Sequence, residues 1–297
     1  MFSSQFGQLI TAMVTPFRED GEIDYAALEK LLEHLIKTGS QAVLITGTTG
    51  ENPTLTHDEE WELLRTSKEI IKGRIPIVFG AGSNSTKTAV ATSLKAQEEG
   101  AAAVMSVCPY YNKPNQSGMF EHFSAVASAI KLPVMLYNNP GRTCISIEPD
   151  TIASLNKKHS NICCIKESSG SLDPIALIKI KAPGVEVYCG DDNLTLPSLA
   201  VGAKGVVSVA SHVVGREIST LIENILSGKV QEAAKIHIQL FPLFKALFSS
   251  PSPGPVKYLL SQLGICKPYL RLPLTEPAEE VRNTLNKLLN EIVAHKD

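Results

Sequence analysis

The chain has 297 residues, of which 43% are hydrophobic, 20% charged and 6% aromatic, enough apolar material for a full-sized core and unlike a disordered, collagen-like or small disulfide-stapled protein. Its 28 basic and 30 acidic residues are interspersed and leave a net charge of −2, so the chain as a whole carries no electrostatic footprint for nucleic acid. No stretch approaches the ~18 uninterrupted apolar residues of a membrane span, and the amino terminus MFSSQFGQLITAMVTPFRED reads as neither a signal nor a transit peptide, so the expected location is the cytoplasm.

Eight short runs of β-branched and small apolar residues recur along the chain: 9–14, 41–46, 75–80, 102–107, 133–137, 161–166, 185–189 and 205–209. They are apolar almost throughout, as parallel strands covered on both faces should be. Helical spacing fills the intervals. Between Tyr25 and Lys37, Leu28, Leu31, Leu32, Leu35 and Ile36 repeat at three and four, with Asp24 placed to cap the start and Gly39 to stop the end. A second helix, 58–72, follows Thr56 with Glu59 three residues on, the spacing of a capping box. Further helices are predicted over 86–99, 118–130, 149–158, 174–180, 194–200 and 215–226.

Strand and helix alternating eight times is the pattern of an α/β chain folded as a (β/α)₈ TIM barrel. A doubly wound open sheet is the alternative. Residues after 226 carry no strand signal and read as three helices, 230–248, 255–264 and 277–296, separated by proline-rich turns. The expected organisation is a catalytic barrel over 1–226 and a C-terminal three-helix appendage over 227–297.

Active sites of such barrels lie at the carboxyl ends of the strands, and there the sequence turns polar and glycine-rich: GTTGE (47–51), GAGSN (80–84), CPYYNKP (108–114), YNNPGRT (137–143), KESSG (166–170), GDDN (190–193) and ASH (210–212). Lys166 ends an apolar strand, where a charge needs a reason. Alternation puts Ile162, Cys164 and Lys166 on one face. An amine facing the barrel interior is partly desolvated, which favours the neutral form that attacks a carbonyl and suits a Schiff-base lysine. The competing reading is a strand-end lysine paired with Glu167 or reaching solvent.

Thr48 and Thr49 offer hydroxyls and backbone amides between glycines, a geometry that can hold a small carboxylate. Tyr111 and Tyr137 place phenols at two further strand ends, where they could relay protons or simply pack. Arg142 suits a substrate carboxylate, with a surface ion pair as the alternative. Other signals fail. Ser85 stands where a dinucleotide fingerprint needs its third glycine. Asp191 and Asp192 lack accompanying metal-ligand spacing, and His57 and His212 lack the Ser or Cys pattern of a triad. The six cysteines form no C-x-x-C pair and are expected to be reduced and buried.

At GTTGE, PYYNKP, YNNPGRT, IKESSG and GDD, in this order, and at PSPGPVK (251–257) in the tail, the chain closely resembles the 4-hydroxy-tetrahydrodipicolinate synthase family, also called dihydrodipicolinate synthase, of the class I pyruvate-dependent aldolases. The resemblance spans nearly the whole chain. It implies condensation of pyruvate with L-aspartate 4-semialdehyde in L-lysine and diaminopimelate biosynthesis, without metal or organic cofactor, by a homo-oligomer, expected as a tetramer of two tight dimers.

The resemblance also implies roles for residues. Lys166 matches the Schiff-base lysine and Tyr137 the phenol that moves protons on the imine and enamine. Thr48 matches the hydroxyl linking two relay tyrosines, and Tyr111 the second of these, shared across a subunit interface. Thr49 with its loop amides matches the holder of the pyruvate carboxylate, Arg142 the contact to the semialdehyde, and Gly190 and Val207 the lining of the site, the last where isoleucine is common.

His57, Asn84 and Tyr110 match an inhibitor cleft for lysine. Glu60 and Thr88 depart from it, because lysine-inhibited members commonly carry histidine and glutamate there. Weak or absent lysine feedback is therefore expected. Cys144 replaces a commonly seen glycine and leaves the shape of the Arg142 loop open. The nearest rivals are N-acetylneuraminate lyase and the 2-keto-3-deoxy sugar acid aldolases, which share the lysine and tyrosine; Arg142 and the second threonine of GTTGE favour the synthase. From another class, a non-catalytic keto-acid sensor or scaffold is opposed by the presence of all the relay residues together.

Overall fold

The computed structural model describes residues 6–294, so Met1–Gln5 of the amino-terminal segment and residues 295 and 296 of the last predicted helix lie outside the described residues. Eight strands follow one another in sequence order around a closed barrel: β1 (Leu9–Ala12), β2 (Ala42–Ile45), β3 (Ile77–Gly80), β4 (Ala103–Val107), β5 (Val134–Asn138), β6 (Ile162–Glu167), β7 (Glu186–Cys189) and β8 (Gly205–Ser208). All lie within or one residue beyond the predicted runs. Every strand position is buried except Val107 and Glu186, which are partly so. That is why the strands read as continuous apolar runs and not as alternating ones.

The helices are α1 (Tyr25–Lys37), α2 (His57–Ile71), α3 (Thr86–Glu98), α4 (Gln116–Ala129), α5 (Pro140–Thr143), α6 (Pro149–Lys158), α7 (Asp173–Lys181), α8 (Thr195–Ala200), α9 (Ser211–Leu226), α10 (Val230–Ala246), α11 (Gly254–Gln262) and α12 (Glu279–Ala294). The single turn α5 replaces an expected loop. Asn139 caps it, accepting from the Arg142 amide, and Pro140 takes its first position, so Asn-Pro was a start signal. Helix α9 begins at Ser211 instead of 215, because two helical pieces join across a kink at Val214.

By contacts the chain divides into two compact units, one holding Pro76–Val207 with the chain up to Ile10, the other Thr11–Ile75 with the chain from Ser208 on. In the first unit β3 to β8 pair in parallel. The register slips once between β5 and β6: Val134 lies opposite Ile162, but Met135 lies opposite Cys164. An extra residue in one strand breaks alternation. Cys164 and Lys166 share a face, as expected, whereas Ile162 falls on the face of Val134 and Leu136, contrary to the simple alternation.

In the second unit α1 buries Ala27, Leu28, Leu31, Leu32 and Leu35, each leucine contributing about 2 kcal/mol. Asp24 caps it through the Ala27 amide, and Gly39 turns the chain at φ +101°. The Thr56–Glu59 capping box is fully formed. Helix α9 packs on α1, α10 and α11, and α12 packs on α10 and α11, so the C-terminal helices are part of this unit's core. Among the described residues no helix is long and apolar enough to cross a membrane.

Candidate active site

In the first unit Tyr137 and Lys166 are direct partners across β5 and β6, and Lys166 lies opposite Tyr188 on β7. Paired residues share a face of the sheet, so the register brings the amine to the phenol. Lys166 is only 7% exposed, with its Nζ 4.5 Å from the centre of the Tyr137 ring. Among the described residues no carboxylate lies within 4.0 Å of that nitrogen.

Glu167, the alternative partner, points to the other face. Its Oε2 accepts from Asn138 Nδ2 (2.9 Å) and its Oε1 from the Ser169 amide (2.8 Å). Burial raises the Glu167 carboxyl above its usual range, against the opposing pull of those hydrogen bonds. Asp191, also raised by burial, is the acid that feels Lys166, whose charge lowers it in part, and it accepts from the Gly170 amide (3.2 Å). Asp191 thus caps a loop, and no group of metal-ligating side chains occurs among the described residues.

Gly190 is dictated by space. A Cβ built there would sit 1.8 Å from Ser168 Oγ and 2.7 Å from Lys166 Cε. Ser168 Oγ is itself buried without a hydrogen-bond partner among the described residues.

Asn139 was missed from sequence. Its Nδ2 donates to Tyr137 Oη (2.9 Å) while its Oδ1 accepts from the Arg142 amide (3.1 Å), so one side chain fixes the phenol and the turn carrying Arg142. Arg142 is exposed, and no carboxylate lies within 4.0 Å of it among the described residues. This removes the surface ion pair as its explanation. Cys144, next in the loop, has φ +59° and is exposed, which corrects the expectation that every cysteine is buried. The left-handed conformation also explains why glycine suits this position. The other five cysteines are buried and none is in a disulfide.

Val207 on β8 is buried. Tyr111, with φ +71°, is 91% exposed, so within one chain it packs against nothing substantial. Tyr110 is exposed as well. Asn84 accepts at its carbonyl from Asn112 Nδ2 (2.8 Å), and the Thr88 hydroxyl donates to Ser85 Oγ (3.1 Å) at the start of α3.

In the second unit the GTTGE loop is tightly folded. The Gly47 carbonyl accepts from Gly50 and Asn52, the Thr48 carbonyl from Glu51, and the Gly50 carbonyl from Thr15 Oγ1 (2.7 Å). Thr46 and Glu51, on either side of the threonine pair, have φ of +52° and +57°. The amides of Thr48 and Thr49 donate to nothing among the described residues. A loop with two free amides and two hydroxyls is suited to a carboxylate. In the same unit Glu60 is buried and accepts from His57 Nδ1 (2.8 Å) and from Asn52 Nδ2. Burial raises its carboxyl, with His57 opposing.

The sequence profile of the dihydrodipicolinate synthetase family matches residues 5–292. The chain belongs to the dihydrodipicolinate synthetase family. Within it, the chain is 49% identical over 286 residues to the 4-hydroxy-tetrahydrodipicolinate synthase of Listeria monocytogenes, covering 95% of this chain and 97% of that protein. The crystal structure of dihydrodipicolinate synthase from Bacillus anthracis superposes with a TM-score of 0.93 at 45% identity, over 96% of this chain and 98% of that one. The chloride-inhibited family member from Acinetobacter baumannii, solved in complex with pyruvate, gives a TM-score of 0.93 at 35% identity, over 96% and 98%. Members bearing the synthase name thus match over almost their full length, barrel and tail together.

Proposed function

We propose that this chain joins pyruvate to L-aspartate 4-semialdehyde through a Schiff base on Lys166. The observation that carries the assignment is a buried lysine amine at a strand end, over the Tyr137 ring and without a carboxylate partner among the described residues. The amine attacks the pyruvate ketone to give a carbinolamine, which loses water to become an imine. The electron-poor nitrogen makes the methyl protons acidic. Tyr137 removes one, and the resulting enamine attacks the aldehyde carbon of the semialdehyde, whose oxygen takes up a proton. The amino group of the adduct then attacks the imine carbon and expels Lys166, closing the ring of 4-hydroxy-tetrahydrodipicolinate and regenerating the amine. One water is released overall.

Thr49 and the loop amides take the pyruvate carboxylate, and Arg142 takes the carboxylate of the semialdehyde. Gly190 and Val207 line the site. The family resemblance assigns Thr48 and Tyr111, with Tyr137, to a proton relay. A phenol 91% exposed in one chain is consistent with Tyr111 serving a neighbouring subunit, and the assembly is a tetramer of two dimers in the cytoplasm. Chemistry belongs to a barrel spanning 1–226, with 227–297 as the helical appendage.

The deciding experiment is borohydride reduction in the presence of pyruvate, followed by peptide mapping. A reduced pyruvyl adduct on Lys166 is the expected result; an unmodified Lys166 overturns the assignment. Lysine feedback is weak or absent, because both Glu60 oxygens already accept from His57 and Asn52, and Thr88 offers no carboxylate to an ammonium. Steady-state rates measured with added L-lysine check this, and tight inhibition at micromolar concentration contradicts it.

A further inference from the structure

The tail motif PSPGPVK ends in a lysine that the mechanism above does not use. Lys257, at the start of α11, has a fully buried side chain, and its ion-pair partner is Glu51, whose side chain is 1% exposed. The ammonium also donates to the Tyr269 carbonyl (2.8 Å) and sits 4.1 Å above the centre of the Phe17 ring. The second Glu51 oxygen accepts from the Arg271 amide (3.1 Å). The Arg271 side chain donates to the Gly21 carbonyl (2.8 Å), the Thr54 carbonyl (2.7 Å) and both Glu59 oxygens, and its guanidinium carbon lies 4.6 Å from the same Phe17 ring.

A buried ion pair rarely stabilises more than well-packed apolar side chains would, and its best-attested use is to specify a geometry. The geometry in need of specification here is adjacent. Glu51 is the last residue of GTTGE, two positions after Thr49, and is one of two residues bracketing the threonine pair in the left-handed region. For residues other than glycine that region costs about 1 to 2 kcal/mol each. Such strain persists where surrounding structure over-determines it. Burial pulls the Lys257 ammonium below the usual lysine range, and Glu51 counteracts the fall.

We propose that Lys257 and Arg271 are positioning residues that clamp the Thr48–Thr49 loop through Glu51, presetting its free amides for the pyruvate carboxylate. The proposal rests on the reading that this loop holds that carboxylate. It gives the C-terminal helices a part in substrate binding without contact to substrate.

The test compares Glu51→Gln, Glu51→Gln/Lys257→Met and Thr49→Val in the full-length protein. Measured quantities are melting temperature, kcat, KM for each substrate, and the pyruvate concentration that half-saturates borohydride trapping. Glu51→Gln strands a buried ammonium and should lower the melting temperature. The double variant removes that charge and recovers stability, so it remains available if the single variant does not fold. Yet the double variant should need roughly tenfold more pyruvate, the scale of one lost hydrogen bond, with semialdehyde KM little changed. Recovery of pyruvate KM together with stability overturns the clamp, as does a parallel change for both substrates. Thr49→Val distinguishes the failures. If it leaves pyruvate KM unchanged, the Thr49 side chain is not part of the carboxylate site and the proposal falls with that reading. If it raises pyruvate KM while the folded double variant does not, the clamp alone is wrong.

Discussion

Lys166→Met should reduce turnover by roughly 10⁴-fold or more, the order seen when a covalent nucleophile is removed, without loss of fold. Methionine fills nearly the volume of the lysine stem, and no ion pair is broken, since Lys166 has no carboxylate partner among the described residues. Stability should therefore hold, because the change breaks no ion pair and strands no hydrogen-bonded partner. Lys166→Arg sharpens the result. Arginine keeps a positive charge beside Tyr137 but cannot attack a ketone at neutral pH, its guanidinium staying protonated. If Lys166 acts as nucleophile, Arg is as inactive as Met. If it merely neutralises a substrate carboxylate, Arg retains a large part of the rate. Rates under saturating pyruvate and semialdehyde, with thermal melts of both variants, separate the cases; more than about 1% activity in Lys166→Arg would exclude the nucleophilic role.

The barrel was legible because its strands are buried on both faces and its polar residues gather at strand ends. Lys166 stood out because a cation closing the run ICCI has no local reason to be there. What escaped the sequence was pairing without a local signature. The slip at Cys163 leaves the run equally apolar on either side, so alternation placed Lys166 properly and Ile162 wrongly. Asn139 read as part of a polar turn, although Asn-Pro announces a capped helical start; its second bond, to the Tyr137 hydroxyl, has no sequence mark. Glu51 and Lys257 are 206 residues apart, and nothing local to either says that both are buried. Cys144 was recognisable as a substitution for glycine, but its left-handed φ became visible only in the folded loop.

Gly190→Ala should cost about 100-fold in activity with little loss of stability, because a displacement near 1 Å at a reacting group is worth that much in rate. The added methyl would lie 1.8 Å from Ser168 Oγ and 2.7 Å from Lys166 Cε, far inside van der Waals contact. These two atoms belong to side chains that can rotate away, and Ser168 Cβ, at 3.1 Å, must give by only a few tenths of an ångström, so the fold survives. The serine can turn about one bond, but the lysine can yield only by carrying its amine away from its position over Tyr137. Ser168→Gly tests which obstacle matters. It removes the hydroxyl but leaves Lys166 Cε in place, so Gly190→Ala/Ser168→Gly should stay impaired relative to Ser168→Gly alone. If the glycine background restores the rate, the damage came from the serine, and the spacing of Lys166 against Gly190 is not what the site requires. A matching fall in the rate of borohydride trapping by pyruvate would place the defect at imine formation, the first step for which Lys166 must be in position.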